Sequence, residues 1–181
     1  MWKDVGLDTT HIPAPLIYLD LPIPPKELIE KLPLDSNLYK AKKITGGGYF
    51  KRSDNYSNEL NEWCKKNINK DLVWDIQTLA SDLHPHKDKD LNTKLNLLIQ
   101  TGNNKDDVYT YFYNENNLID EFPYEDKINN PIKLHNLLNG YVSHQFVIEK
   151  MRWHLLSVNK YHSVFGIEKS NTRISLVANI N

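Results

Sequence analysis

Apolar positions follow two different periods along this chain, and the change falls near residue 71. Before it, prolines 13, 15, 22, 24 and 25 surround the apolar segment Leu16-Ile17-Tyr18-Leu19. Proline fixes its own φ and removes a backbone donor, so this stretch predicts an extended arm or edge strand rather than a helix. A short helix is expected from about Pro25, with Leu28, Ile29 and Leu32 on one face and Pro33 as its stop. Residues 55–68 predict a second helix, because Leu60, Trp63, Cys64 and Ile68 recur at helical spacing; Asp54 or Ser53 would cap it. Between the helices, Gly46-Gly47-Gly48 reads as a turn. No Gly-Lys-Ser/Thr follows it, so it lacks the groups of a phosphate loop.

From residue 71 onward, short runs of strand-forming residues are split by polar turns. They are 72–79, 95–100, 108–113, 142–149, 153–159, 163–167 and 172–180, joined through segments such as Gly102-Asn103-Asn104 and Lys169-Ser170-Asn171. Residues 120–138 form a longer polar excursion with room for a short helix at 132–138. No helical pattern of crossover length separates successive strands, which disfavours a parallel βαβ sheet and favours a mainly β sandwich, barrel or jelly roll. With 181 residues and 40% apolar content, the chain suits one domain: an N-terminal arm and helical extension over 1–70, and a β core over 71–181.

Charge narrows the partners. The net charge is −1, from 22 basic and 23 acidic residues mixed along the chain, so no broad basic field exists for bulk nucleic acid or an anionic membrane. Neither a signal-peptide pattern nor an 18-residue apolar run occurs, and Cys64 is the only cysteine, so a cytoplasmic protein without an internal disulfide is expected. Cys64 falls on the apolar stripe of the second helix, as a core thiol would. The sequence leaves the oligomeric state open. Only three of the basic residues are arginines, at 52, 152 and 173, and arginine's rigid fork suits a planar carboxylate.

The segment His84-Pro85-His86-Lys87-Asp88 carries the most chemistry. On extended backbone, His86 and Asp88 share a face. His162, in Tyr161-His162-Ser163-Val164, is the best third ligand. Two imidazoles and a carboxylate leave roughly three octahedral positions open, which suits non-haem Fe(II) and O2 chemistry, although zinc can use the same donors. Eleven residues later, Arg173, Ser175, Val177 and Asn179 alternate with Ile174, Leu176, Ala178 and Ile180. One face of this strand is wholly apolar, and Arg173 with Ser175 on the other can clamp a carboxylate. A hairpin of 163–167 with 172–180 would set His162 beside Arg173, so that a dicarboxylate held at one end would reach the metal with the other.

The order His86-Lys87-Asp88, His162, Arg173-Ile174-Ser175 resembles the signature of the Fe(II)/2-oxoglutarate-dependent oxygenase superfamily, in particular small bacterial and phage members related to aspartyl/asparaginyl and prolyl hydroxylases. The first pair is similar to its His-x-Asp motif, His162 to its distal histidine, and Arg173 with Ser175 to its Arg-x-Ser co-substrate motif. The resemblance implies a double-stranded β-helix over about 71–180. It implies Fe(II) on His86, Asp88 and His162, 2-oxoglutarate held by Arg173 and Ser175, and hydroxylation of an unactivated C–H bond with release of succinate and carbon dioxide. Halogenase relatives lack the carboxylate ligand, and Asp88 keeps that place filled. The interval of 76 residues from His86 to His162 is longer than in compact members and accommodates a substrate-covering loop at 114–140. The substrate class implied is a peptide side chain or a small molecule. Two other classes fit the same residues: a catalytically inactive jelly-roll binding module, and a cupin-type metalloenzyme in which His84 joins His86 and His162.

Further lining groups are expected around these. Asn96 faces away from Leu95 and Leu97; Gln77 and Trp74 are weaker candidates. Among the alternating Tyr109, Tyr111 and Tyr113, Tyr109 is the candidate for contact with the co-substrate. His84 is expected near the site without touching metal, and Asp90 in a turn. His11, His135, His144 and His154 lack ligand spacing and are expected to be structural or at the surface, as Trp153 is expected to pack in the core.

Overall fold

A computed structural model of the chain describes residues 14–32, 42–43, 49–53, 58–88, 91–105, 107–114, 142–168 and 171–180. The glycine triplet, Pro33, Asp54, Asp90, His11, His135, the helix expected at 132–138 and the 114–140 excursion past Asn114 lie outside the described residues.

In chain order the elements are β1 (Leu16–Leu19), α1 (Lys26–Glu30), β2 (Lys42–Lys43), β3 (Tyr49–Ser53), α2 (Asn58–Asn67), β4 (Trp74–Leu79), β5 (Leu83–His86), β6 (Thr93–Gln100), β7 (Tyr109–Tyr113), β8 (Val142–Val147), β9 (Trp153–Ser157), β10 (His162–Phe165) and β11 (Arg173–Ile180). They form two antiparallel sheets that do not close into a barrel: a seven-stranded one, β1-β9-β6-β11-β4-β3-β2, and a four-stranded one, β5-β10-β7-β8. The mainly β expectation is met at this level. No helix among the described residues is long and apolar enough to cross a membrane.

The period-2 pattern of β11 explains the layering. Its apolar face buries Ile174, Leu176, Ala178 and Ile180 against Ile76, Leu97 and Leu155 of neighbouring strands and against Ile29, Leu60 and Cys64 of the helices. Leu60 and Cys64 of α2, with Ile68 just beyond its end, lie four apart and present one buried stripe to that sheet. Trp74 and Trp153 meet edge-on at 5.6 Å within this layer, and Trp153 donates its indole N–H to the Pro22 carbonyl. Fully burying each such side chain is worth about 1.5–3 kcal/mol, so this layer is the stable platform of the molecule. The opposite face of the same sheet looks toward the four-stranded sheet.

Two sequence expectations change here. The expected edge strand at 16–19 forms as β1, paired with β9 at one edge of the large sheet, but residues 1–70 also contribute strands that the sequence does not predict, β3 pairing with β4 and β2 with β3. The hairpin of 163–167 with 172–180 does not form. β10 pairs with β5 and β7, β11 with β4 and β6, so the two strands belong to different sheets. The chain crosses between them just after β10, where the Asp82 carboxylate accepts the backbone N–H groups of Gly166 and Ile167 at 2.8 and 2.9 Å. Gly166 takes φ 101° at this crossing, a left-handed conformation that costs glycine little.

Candidate metal centre and its cavity

β5 is an edge strand, and edge strands tolerate a proline such as Pro85, whose missing N–H breaks no ladder. Its last residue, His86, is the direct cross-strand partner of His162 at the start of β10. The two imidazole centroids lie 4.4 Å apart. Asp88 follows two residues beyond β5, pinned by its backbone N–H, which donates to the Val158 carbonyl at 2.9 Å. Asp88 Oδ1 stands 3.4 Å from His86 Nε2. One donor atom from each of His86, Asp88 and His162 falls within 4.8 Å of the others, so the three could hold a metal ion. The sequence spacing therefore selects three residues that the fold does bring together.

The orientation of both rings suits ligation. His86 Nδ1 lies 2.8 Å from the His84 carbonyl, and His162 Nδ1 lies 2.9 Å from the Lys160 carbonyl. A carbonyl only accepts, so each Nδ1 carries the proton, and each Nε2 is the nitrogen left to meet a cation. Burial, then the neighbouring His86, pushes the His162 imidazole down to about 3, so at neutral pH it is uncharged and able to ligate. At Asp88, burial favours the neutral acid. The contact with His86 and the ammonium of Lys94 outweigh it and hold the carboxyl well below the usual carboxylate range. His84 keeps its ring 5.6 Å from that of His86 and stands outside the ligand group.

His162 also forms part of the wall of a cavity between the two sheets, with about 520 Å³ of empty space including its mouth. Arg173 and Ser175 project into it from β11, so the sheets, not a hairpin, bring guanidinium and imidazole to one space. Arg173 is 6% exposed, and its Nη1 has no hydrogen-bond partner. Burial pulls its pKa down to about 10, so it stays protonated at neutral pH. Thr110 Oγ1, also buried in the cavity wall, has no hydrogen-bond partner either. Leaving such a donor unmet costs about 1–3 kcal/mol, and more when it is charged, so an acceptor oxygen in the cavity would relieve both groups.

The remaining expectations divide. Asn96 and Gln77 line the cavity; Asn96 donates its amide to the Lys94 carbonyl at 3.1 Å. Trp74 turns to the helical layer instead. Tyr109 does not line the cavity: alternation along β7 turns Thr110 inward, while the Tyr109 and Tyr111 rings sit 6.0 Å apart on the other face. Tyr113 meets Ser163, hydroxyl to hydroxyl at 2.7 Å. Cys64 is wholly buried in the helical layer, where burial pushes the thiol up to about 12 and makes it inert.

Besides Thr110, two polar cavity residues escape sequence reasoning. Lys94 is 6% exposed and donates to Asp88 Oδ2. His154, expected at the surface or in the structure at large, is 1% exposed and lines the cavity. Its Nδ1 faces the Arg152 carbonyl at 3.1 Å, and burial holds it down to about 4, so it is a neutral ring. The signal was present in both strands: Lys94 shares parity with Asn96 against Leu95 and Leu97, and His154 opposes Trp153 and Leu155. No protein-family model matches the chain, and no curated protein matches it.

Proposed function

We propose that the chain is an Fe(II)- and 2-oxoglutarate-dependent dioxygenase on a double-stranded β-helix domain, hydroxylating an unactivated C–H bond of a peptide side chain or small molecule. One observation carries this reading: His162 of the His86-Asp88-His162 group lines the cavity into which Arg173 presents an unpartnered, buried donor. Three protein donors of this N2O type leave octahedral positions for a chelating co-substrate and for O2. Iron bound there would supply the oxidative decarboxylation of 2-oxoglutarate to succinate and carbon dioxide, coupled to hydroxylation. The chain's own residues bind and orient. Arg173, Ser175 and Thr110 hold the far carboxylate; His162 and His86 keep Nε2 free through their backbone hydrogen bonds; the two apolar clusters between the sheets exclude bulk water from the remainder.

Neither alternative gains support. A cupin-type site would recruit His84, which lies outside the ligand group. A binding module that had lost its chemistry would have no use for a complete ligand set beside an unmet guanidinium. The test is Fe(II)- and 2-oxoglutarate-dependent succinate formation, followed by mass spectrometry against pooled peptides and small molecules, with uncoupled turnover subtracted. Succinate above the level of the His162→Ala variant supports the reading, and equal traces from both proteins refute it.

A further inference from the structure

Asp88 offers its two oxygens to different partners. Oδ1 lies 3.4 Å from His86 Nε2, the ring nitrogen left free to meet a cation. Oδ2 accepts a hydrogen bond from the Lys94 ammonium. Lysine is rarely buried to this degree unless paired, and the Lys94 side chain is only 7% exposed. Its backbone is held on both sides, opposite Leu156 of β9 and Asn179 of β11, so the ammonium reaches Asp88 from the middle of the seven-stranded sheet. The pair thus ties the large sheet to the ligand-bearing end of the small one.

We infer that Lys94 is a positioning residue that restricts Asp88 to one-oxygen coordination and so keeps the metal's remaining positions open. This rests on the metal-centre reading above. A carboxylate that binds through both oxygens takes an extra coordination position. With Oδ2 engaged by an ammonium fixed in the sheet, rotation of the carboxylate toward two-oxygen binding must break a charge-assisted hydrogen bond between two largely buried groups. The arrangement has a cost in affinity. A cation beside the metal weakens the carboxylate as a donor and repels the ion, the opposite of the usual carboxylate or carbonyl partner that strengthens a ligand. Lys94 therefore gives up metal affinity to secure coordination geometry, and the sign of that trade distinguishes it from a residue that merely supports the fold.

Co(II) is the probe, because its visible d–d bands report coordination number. Wild type, Lys94→Met and Lys94→Arg are titrated anaerobically with Co(II), after circular dichroism confirms the fold of each. In Lys94→Met, the bands shift and Co(II) affinity rises about tenfold, through loss of the neighbouring positive charge. Lys94→Arg, which keeps a charged donor, retains the wild-type bands. Should Lys94→Met fail to fold, Lys94→Gln carries the same comparison and shifts in the same direction. Superimposable spectra for wild type and the neutral variant overturn the Lys94 role alone. Absence of Co(II) binding by the wild type overturns the metal centre, and the role of Lys94 with it.

Discussion

Gly102 packs directly on Arg173: a Cβ at residue 102 would stand 3.0 Å from the Arg173 Cβ and 3.1 Å from its backbone nitrogen. Gly102 also takes φ +100°, where residues with side chains are strained, and its carbonyl accepts the backbone N–H of Glu168 at 2.9 Å. The turn after β6 thus fixes where β11 begins, and with it the position of the guanidinium. Gly102→Ala is expected to cost about 1–3 kcal/mol of stability. It should also weaken binding of 2-oxoglutarate to the metal-loaded protein, because the push falls on Arg173 itself. Thermal unfolding and calorimetric titration measure the two effects.

Arg173→Gln removes the charge and one arm of the fork while keeping a polar side chain. A hydrogen bond to a charged group is worth about 1.5–3 kcal/mol, so 2-oxoglutarate affinity should fall about 10- to 100-fold. Metal affinity should hold, since Arg173 is not a ligand. Separate titrations of metal and dicarboxylate check this, and equal loss of both would place the guanidinium in the fold rather than in the site.

His154 gives the metal-free protein a defined acid response. Its pKa is about 4 in the folded chain against 6.5 when unfolded, so between these values the unfolded chain binds the extra proton. Its contribution is fully present above pH 6.5 and is lost as pH falls toward 4. The total reaches about 3 kcal/mol for this group. Urea unfolding across pH 4–7 should show a slope that becomes shallower in His154→Leu.

The helical layer is separable from the site. Leu176 is wholly buried among the apolar residues facing α1 and α2. Leu176→Ala should cost about 2–5 kcal/mol in chemical denaturation. Metal affinity measured below the unfolding transition should be unchanged, because Arg173 and Ser175 occupy the other face of the same strand.

Local periodicity carried most of the strand assignments. β11 was legible over its length because Ile174, Leu176, Ala178 and Ile180 alternate without a break, and α2 because Leu60, Cys64 and Ile68 recur at four-residue spacing. His86, Asp88, His162 and Arg173 were legible through residue type and order. Sheet membership was not, since alternation says nothing about which strand a neighbour will pair with; β10 and β11 are adjacent in sequence and lie in different sheets. Tyr-Phe-Lys-Arg-Ser of β3 lacks an alternating pattern and gave no strand signal. Lys94 and His154 were missed for a different reason. A polar side chain on one face of a strand resembles a solvent contact until a second sheet is known to cover that face. The same ambiguity misplaced Tyr109, because alternation along β7 defines two faces without saying which one looks inward.

If two imidazoles, a carboxylate and a guanidinium serve one bound metal–dicarboxylate pair, anaerobic addition of Fe(II) and then 2-oxoglutarate produces a weak visible charge-transfer band. The band should require both additions and vanish in His162→Ala. A wild-type protein that binds Fe(II) but develops no band at saturating 2-oxoglutarate would contradict that arrangement.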